Sequence, residues 1–302
     1  MGCDGSSSDR LPVCVQVDVD ELDVYFRSVG VPCPALPPAC STDGVAFFRD
    51  LLAEHDALAT FFICGKDLAH APTREALGRV VAAGHEIANH TMTHPPDFAR
   101  LPMAEQEAEV DQAERAIEEH LGVRPRGFRA PGFSNPPHLT QILVERGYLY
   151  DCSRLPVRSP RLLRACHAIM PGVRQVPSTQ YGGGSARLTP RVTGPLVELP
   201  VSVVPVLRVP FHGTWVQATH PLLLHAGLWG VRHLGLPLVY VFHAIEAVEA
   251  PRGLSAWQYP FLRRRSAARR RTAGLILRTI LRHFTPIRTD AWAEQWLQRN
   301  EA

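Results

Sequence analysis

His85-Glu86-Ile87-Ala88-Asn89-His90-Thr91-Met92-Thr93-His94 is the stretch on which the reading of this chain turns. Its first half is a short strand pattern that begins directly after Gly84, a helix stop, and delivers a histidine at its end. Its second half sets two imidazoles four residues apart, so both can converge on one cation if the backbone holds them on a common face, as one turn of helix does. In a chain with 14 histidines such pairs arise by chance, and alone this one is equally consistent with satisfied surface or core histidines.

The N-terminal context raises its weight. Val15-Gln16-Val17-Asp18-Val19-Asp20 alternates apolar and polar residues, a strand signature. Residues i and i+2 of a strand point to the same side, so Asp18 and Asp20 project together. Two carboxylates and two imidazoles form a hydrolytic metal set, in which one carboxylate ligates and the other remains free as a base.

Farther along, strand and helix patterns alternate. Val45, Phe48, Leu51 and Leu52 share one face of a helix that Thr42 or Asp43 can cap. A buried strand is expected over 57–64, a helix over 73–83, an acidic helix over 103–120 stopped at Gly122, a strand over 126–131, a helix over 136–146 and a short strand over 148–151. Periodicity weakens over 155–192 around Gly182-Gly183-Gly184, a run that does not open a helix after a strand and so is no phosphate-cradling loop. It returns at 196–202, followed by a helix over 220–233 and a strand over 236–242 that delivers His243. This order predicts an α/β fold with a parallel barrel, whose chemistry sits at the C-terminal strand ends, where Asp18, Asp20, His90 and Arg129 fall.

Composition bounds the function classes. At 302 residues, 45% hydrophobic, the chain can bury one large core. A net charge of +3 is too small to argue for nucleic acid. The seven cysteines are odd in number and include no C-x2-C pair, which points away from a disulfide framework or zinc ribbon and toward a reducing compartment. No secretory signal and no transmembrane segment are expected, since His225, Arg232, His233 and Pro237 interrupt the apolar stretch 221–242. The expected organisation is a disordered tail over 1–12, a single catalytic barrel over 13–290 and a C-terminal extension over 291–302. The runs Arg263-Arg264-Arg265 and Arg269-Arg270-Arg271 give 262–284 two readings: a barrel helix with a solvated basic face, or a surface for anionic lipid headgroups.

The constellation resembles the polysaccharide deacetylase family, also called the NodB-homology domain or carbohydrate esterase family 4, across most of 13–249. His90-Thr91-Met92-Thr93-His94 fits the family's H-[ST]-x-x-H motif at every defined position, and Arg129-Ala130-Pro131-Gly132 resembles its third motif. Tyr148 to Ser153, with Asp151, resembles the Gly-Tyr-x-Tyr-Asp-Ser-Ser stretch of one bacterial branch, and Phe242-His243 with Glu246 resembles the late histidine motif. The first motif departs from adjacent aspartates followed by glycine, because Val19 separates Asp18 from Asp20, as in branches that include lipid-linked sugar deformylases and exopolysaccharide-associated deacetylases. The fourth motif, an aspartate near a tryptophan that tunes the late histidine, has no clean match, and Glu198 is the replacement considered.

The resemblance implies a distorted (β/α) barrel of seven parallel strands in which Asp20, His90 and His94 bind one divalent metal, zinc foremost, with cobalt, nickel or iron also suited. Asp18 is then the general base, Arg129 the cation that holds it, and His243 the acid that protonates the departing amine. Pro131, Gly132, Trp215, Asp151 and Glu198 are the candidate substrate-binding residues; Trp215, like Phe211 and Trp257, could equally pack as core. The activity implied is metal-dependent removal of an acetyl or formyl group from an N-acylated sugar or lipid-linked saccharide, in the cytoplasm or at the inner membrane face. Related hydrolysis of a cyclic amide, or a silent barrel that binds a glycan or partner, are the alternatives.

Overall fold

Alternation in strand β1 (Leu11–Val19) sorts its side chains between two layers. Val13, Val15, Val17 and Val19 join a large cluster beneath the helices, whereas Cys14 enters a separate inner cluster, on the side that Gln16 and Asp18 share. Each fully buried valine contributes about 1.5–3 kcal/mol relative to an exposed one, so a charge at Val17 would break the strand.

The computed structural model describes residues 10–157, 187–220 and 222–301. In chain order the further strands are β2 (Thr60–Ile63), β3 (Glu86–Asn89), β4 (Gly127–Phe128), β5 (Tyr150–Asp151), β6 (Arg191–Thr193) and β7 (Leu196–Glu198), then a hairpin of β8 (Val203–Val204) and β9 (Val209–Pro210), then β10 (Leu238–His243) and β11 (Phe284–Pro286). The helices are α1 (Leu22–Ser28), α2 (Val45–Ala53), α3 (Ala71–Ala82), α4 (Met103–Leu121), α5 (Leu139–Glu145), α6 (Gly213–Ala218), α7 (Leu222–His233), α8 (Ser266–Leu281) and α9 (Thr289–Glu301).

The strands run in the order β10-β1-β2-β3-β4-β5-β7, all parallel, with antiparallel β6 beyond β7 and short β11 parallel to the start of β1. The chain leaving β7 comes back to β10: Ser202 N–H donates to the Val239 carbonyl and Val239 N–H to Ser202 Oγ, each at 3.0 Å. The result is a distorted α/β barrel whose main order holds seven parallel strands among the described residues, with β11 an eighth beside β1, and no helix there is long and apolar enough to cross a membrane.

Several expectations are corrected. Thr42 does not cap α2; its hydroxyl donates back to the Pro38 carbonyl, while Glu21 holds this loop by accepting from Ser41 N–H and Oγ. The expected C-terminal extension, described to residue 301, packs onto the barrel: α9 buries Trp292 and Ala293 in the inner cluster, and Thr289 Oγ1 accepts from Gln16 inside the barrel. At the other terminus, residues 1–9 of the expected tail lie outside the described residues, and Leu11 and Pro12 belong to β1. The arginine runs are not uniformly solvated either. Arg269 is fully buried and caps backbone carbonyls of Glu246, Val248 and Arg264. The glycine run at 182–184 lies outside the described residues.

Candidate active site

Strand register brings the chemistry-bearing residues to one level. Asp18 is the Cα partner of His243 on β10 and of Phe62 on β2. His90 leaves β3 with its N–H on the Ile63 carbonyl, and Arg129 leaves β4 with its N–H on the Asn89 carbonyl, both at 3.0 Å. Each functional side chain therefore stands at a C-terminal strand end.

The imidazole pair is not carried on a helix turn. Thr91 and His94 both adopt left-handed backbone, with φ of 69° and 54°, a strain of about 1–3 kcal/mol each that only surrounding bonds can hold. Asn89 Oδ1 accepts from Thr91 N–H at 2.8 Å and Thr91 Oγ1 from His94 N–H at 3.1 Å. Glu109 of α4 grips Thr93 through both its N–H and its hydroxyl. Asn89 is itself tethered by the Val110 carbonyl and Tyr148 hydroxyl.

So held, His90 Nε2 and His94 Nε2 lie 3.2 and 3.5 Å from Asp20 Oδ1, and one ligand atom from each of the three residues lies within 4.8 Å of the others. The trio fits a divalent metal on two grounds. Asp20 Oδ1 is buried with no hydrogen-bond partner among the described residues, an expensive state unless something occupies the space before it. His90 Nδ1 lies 2.7 Å from the Arg129 carbonyl, which can only accept, so Nδ1 carries the proton and Nε2 offers its lone pair, the usual outer support of a ligating histidine. Burial lowers the pKa of His94 to about 4, keeping it neutral. Burial opposes the charge on Asp20, but the imidazoles outweigh it and hold its carboxyl well below the usual range.

Asp18 faces a different partner. Arg129, fully buried, donates Nη1 to Asp18 Oδ1, Nη2 to Gln16 Oε1 and Nε to the Cys152 carbonyl, with its guanidinium carbon 4.2 Å from the Phe62 ring centroid. A buried cation this fully bonded is confined to one rotamer, which leaves Asp18 Oδ2 for other work. His243 Nε2 is 3.8 Å from that oxygen. Burial works against a charge on His243, yet Glu246 and then Asp18 outweigh it and raise its pKa.

The acid beside His243 is Glu246, not Glu198. Glu246 Oε1 is 3.8 Å from His243 Nδ1 and accepts from His243 N–H at 2.9 Å, while its other oxygen accepts from Gln217. Glu198 instead pairs with Arg154 at 2.8 Å, on the neighbour of Asp151 in β7. Asp151 is buried and accepts from Ser153 N–H and Oγ; Ser153 Oγ in turn accepts from Ala130 N–H, so this carboxylate braces the turn after Arg129. That turn, Pro131–Phe133, needs Gly132 at φ 59° and sets the Phe133 ring 5.6 Å from Arg129. Trp215 is half-buried against the inner cluster. Sequence reasoning missed His212, whose ring is 5.5 Å from His243 and 6.2 Å from Phe133, its Nδ1 3.0 Å from Thr214 Oγ1. Burial, then His243 and Arg129, hold its pKa well below the ordinary value, so a neutral imidazole sits beside a readily protonated one.

Residues 39–150 match the family model described as polysaccharide deacetylase. That span contains His90, His94 and Arg129, whereas Asp18, Asp20 and His243 lie outside it and meet them through the fold. The chitooligosaccharide deacetylase of Bradyrhizobium sp. (strain ANU 289) is 45% identical over 95 residues, 31% of this chain and 40% of that protein. The chain spans less than half the length of the curated relatives it matches. Among solved structures, one assigned as a polysaccharide deacetylase from Mycobacterium smegmatis aligns with a TM-score of 0.61 at 19% identity, covering 96% of this chain and 91% of that one. PuuE allantoinase aligns with a TM-score of 0.58 at 15% identity, covering 96% and 91%. At these identities the likeness is one of fold.

Proposed function

We propose that the chain belongs to the polysaccharide deacetylase family, whose model it matches over residues 39–150, and that it is a metal-dependent hydrolase removing an N-acetyl or N-formyl group from a sugar or sugar-containing substrate. The observation that carries the reading is the 3.8 Å gap between Asp18 Oδ2 and His243 Nε2, beside a buried trio of metal-binding type. A carboxylate with one oxygen engaged by arginine and one oxygen free, beside an imidazole with a raised pKa, offers a base and an acid at one site.

Asp20, His90 and His94 would hold the metal, for which zinc is the first choice; when bound there it supplies polarisation of the amide carbonyl and acidification of water. Asp18 Oδ2 takes the proton of the attacking water. Arg129 keeps Asp18 in one rotamer, so the oxygen that receives the proton does not wander. His243 Nε2 delivers a proton to the amide nitrogen as the carbon–nitrogen bond breaks, which lets the amine depart. Glu246 steadies the imidazolium from its far side. Pro131, Gly132 and Trp215 are proposed to line the substrate groove, while Asp151 and Glu198 act through Ser153 and Arg154 at its base. The protein works in the cytoplasm or at the inner membrane face, on a soluble or lipid-linked saccharide, with 262–284 in contact with anionic membrane.

The test is acid release from N-acetylated chitooligosaccharides and N-formylated amino sugars by metal-loaded protein. Loss of release on chelation, its return with zinc, and its loss in Asp18→Asn with metal content unchanged support the reading. Ring opening of a cyclic amide without acid release would replace it with the amidohydrolase alternative.

A further inference from the structure

Charge along this chain is strongly segregated. From Leu199 to Thr289 there are twelve arginines and two acidic residues, Glu246 and Glu249. Glu246 is wholly buried beneath His243, and Glu249 accepts from Ser266. The surface made by this third of the chain therefore carries almost no exposed negative charge.

The same region exposes large apolar side chains on one helix and its neighbours. On α7 the outward stripe is Leu222, His225, Trp229, Arg232 and His233, with Leu222 68% and Trp229 66% exposed. Leu234, just past its end, is half-exposed. The β8–β9 hairpin, packed on α7 where Pro205 meets Gly230, projects Val206 and Leu207, the former 72% exposed. Trp229 stacks on His233, with ring centroids 5.0 Å apart and planes at 7°. Isolated exposed leucines need no explanation, but an aromatic and several aliphatics grouped on one face do.

Basic groups converge around this apolar face. An open cavity of about 470 Å³ beside Trp229 is lined by Arg10, Arg232, His233 and His283, and no carboxylate lines it among the described residues. Arg232 Nη1 donates to His283 Nδ1 at 3.4 Å, which fixes the guanidinium at the cavity wall. Past His283 the face continues on α8, where Arg271, Leu275 and Arg278 are exposed, and on Arg282 just beyond its end.

We propose that α7, the 206–207 hairpin tip and the outer stripe of α8 form a docking face for an anionic phospholipid bilayer, with the cavity taking a headgroup phosphate and Trp229, Leu222 and Leu234 entering the interfacial layer. Charge complementarity selects the partner. Arginine and imidazole without competing carboxylates suit phosphate, and tryptophan with leucine suits the boundary between headgroups and acyl chains. This deepens the membrane contact proposed for 262–284: that segment supplies charge, while the insertion comes from α7, a helix to which the sequence reading gave no membrane role.

Co-sedimentation of the full chain with vesicles tests this without reference to any reaction, so its failure leaves the hydrolase reading intact. Expected is binding to phosphatidylcholine vesicles containing phosphatidylglycerol, weakened by salt, and little binding to phosphatidylcholine alone. Arg232→Gln and Arg278→Gln should each weaken it about fivefold. Trp229→Ala with Leu234→Ser, both surface changes, should abolish it while leaving acid release from a soluble substrate unchanged. Absence of binding to the anionic vesicles at low salt would overturn the proposal, as would binding indifferent to the Trp229/Leu234 pair. If inorganic phosphate raises the melting temperature of wild type and not of Arg232→Gln, while vesicles fail to bind, the cavity is a free-anion site instead. If wild type is a dimer that the Trp229→Ala and Leu234→Ser changes dissociate, with no vesicle binding, the face joins two copies of the chain.

Discussion

Glu246→Gln isolates the electrostatic support of the proposed acid. The carboxylate lies 3.8 Å from His243 Nδ1 and is wholly buried; at an effective dielectric constant of about 20 that separation corresponds to about 4 kcal/mol of attraction for the imidazolium. Observed shifts from an opposite charge at this range run to about 1–3 units, and Asp18, 3.8 Å from the other ring nitrogen, remains in place. A fall of about 2 units in the His243 pKa is therefore expected. The substitution need not disturb packing. Gln217 Oε1 is buried without a partner among the described residues, so rotating that amide offers an acceptor to the new side-chain N–H while the remaining carbonyl still accepts from His243 N–H. The sign follows from the role: the acid must be protonated, so lowering its pKa moves the alkaline limb of kcat/KM down by about 2 units and leaves the acidic limb where it was. Above both limbs the rate falls about a hundredfold, a factor of ten for each unit. Acetate release from an N-acetylated chitooligosaccharide across pH, with the His243 ring titration followed by NMR, measures both quantities. An alkaline limb that stays put although the ring pKa falls would refute the assignment of His243 as the acid.

Other changes probe different parts of the molecule. Arg129→Met leaves Asp18 and Gln16 buried without their cation and should destabilise the fold by about 3–5 kcal/mol, and Arg129→Lys should not restore activity because one ammonium cannot bond Asp18, Gln16 and the Cys152 carbonyl together; denaturant titration and acid release check each part. Gly213→Ala would set a methyl 2.3 Å from Glu246 Oε1, expelling the carboxylate from His243, so its pH profile should resemble that of Glu246→Gln. Burial, with Asp290 adding to it, raises Glu86 to about 7 inside the barrel. A carboxyl raised on folding binds more protons in the folded state, so its contribution is present below the unfolded value near 4.5 and is lost as pH rises toward 7. Glu86→Gln should accordingly gain on the order of 3 kcal/mol relative to wild type between pH 4.5 and 8, read from urea midpoints.

How much of this was legible in the sequence depends on the range of the interaction that sets each feature. Asp18 and Asp20 share a side because strand period is two, and His90 and His243 follow strands whose ends the sheet brings level, so their convergence could be read from local pattern and order alone. His90 and His94 converge without the turn of helix that would bring such a pair together, for a physical reason. Asn89 and Glu109 supply bonds that hold Thr91 and His94 in left-handed backbone, and no local propensity announces such a loop. Glu198 was considered as the partner of His243 in place of the unmatched fourth motif, whereas the turn after β10 returns Glu246, already part of the late histidine motif, to the ring three residues later. His212 gave no signal beyond being one histidine among many, since what brings it to His243 is the path of the chain into α6.

Gln16 makes the deeper point about where positioning comes from. It lies two residues before Asp18 on the same side of β1, so the period that identified the aspartates also identified a third inward polar group, to which no role was attached. Inside the barrel its carbonyl accepts from Arg129 and its amide donates to Thr289 Oγ1. Thr60 donates to the same Thr289 oxygen and is also within hydrogen-bond reach of Glu86, which accepts from Asp290 N–H at the start of α9. The arginine that orients the proposed base is thus bonded, through side chains buried in the barrel interior, to the helix that packs against the inner cluster. An apolar residue at position 16 would leave Arg129 Nη2 buried and unpaired, a loss of about 1–3 kcal/mol or more for a charged group, and would free the start of α9 at the same time. The rotamer of Asp18 and the docking of α9 are therefore parts of one hydrogen-bonded structure.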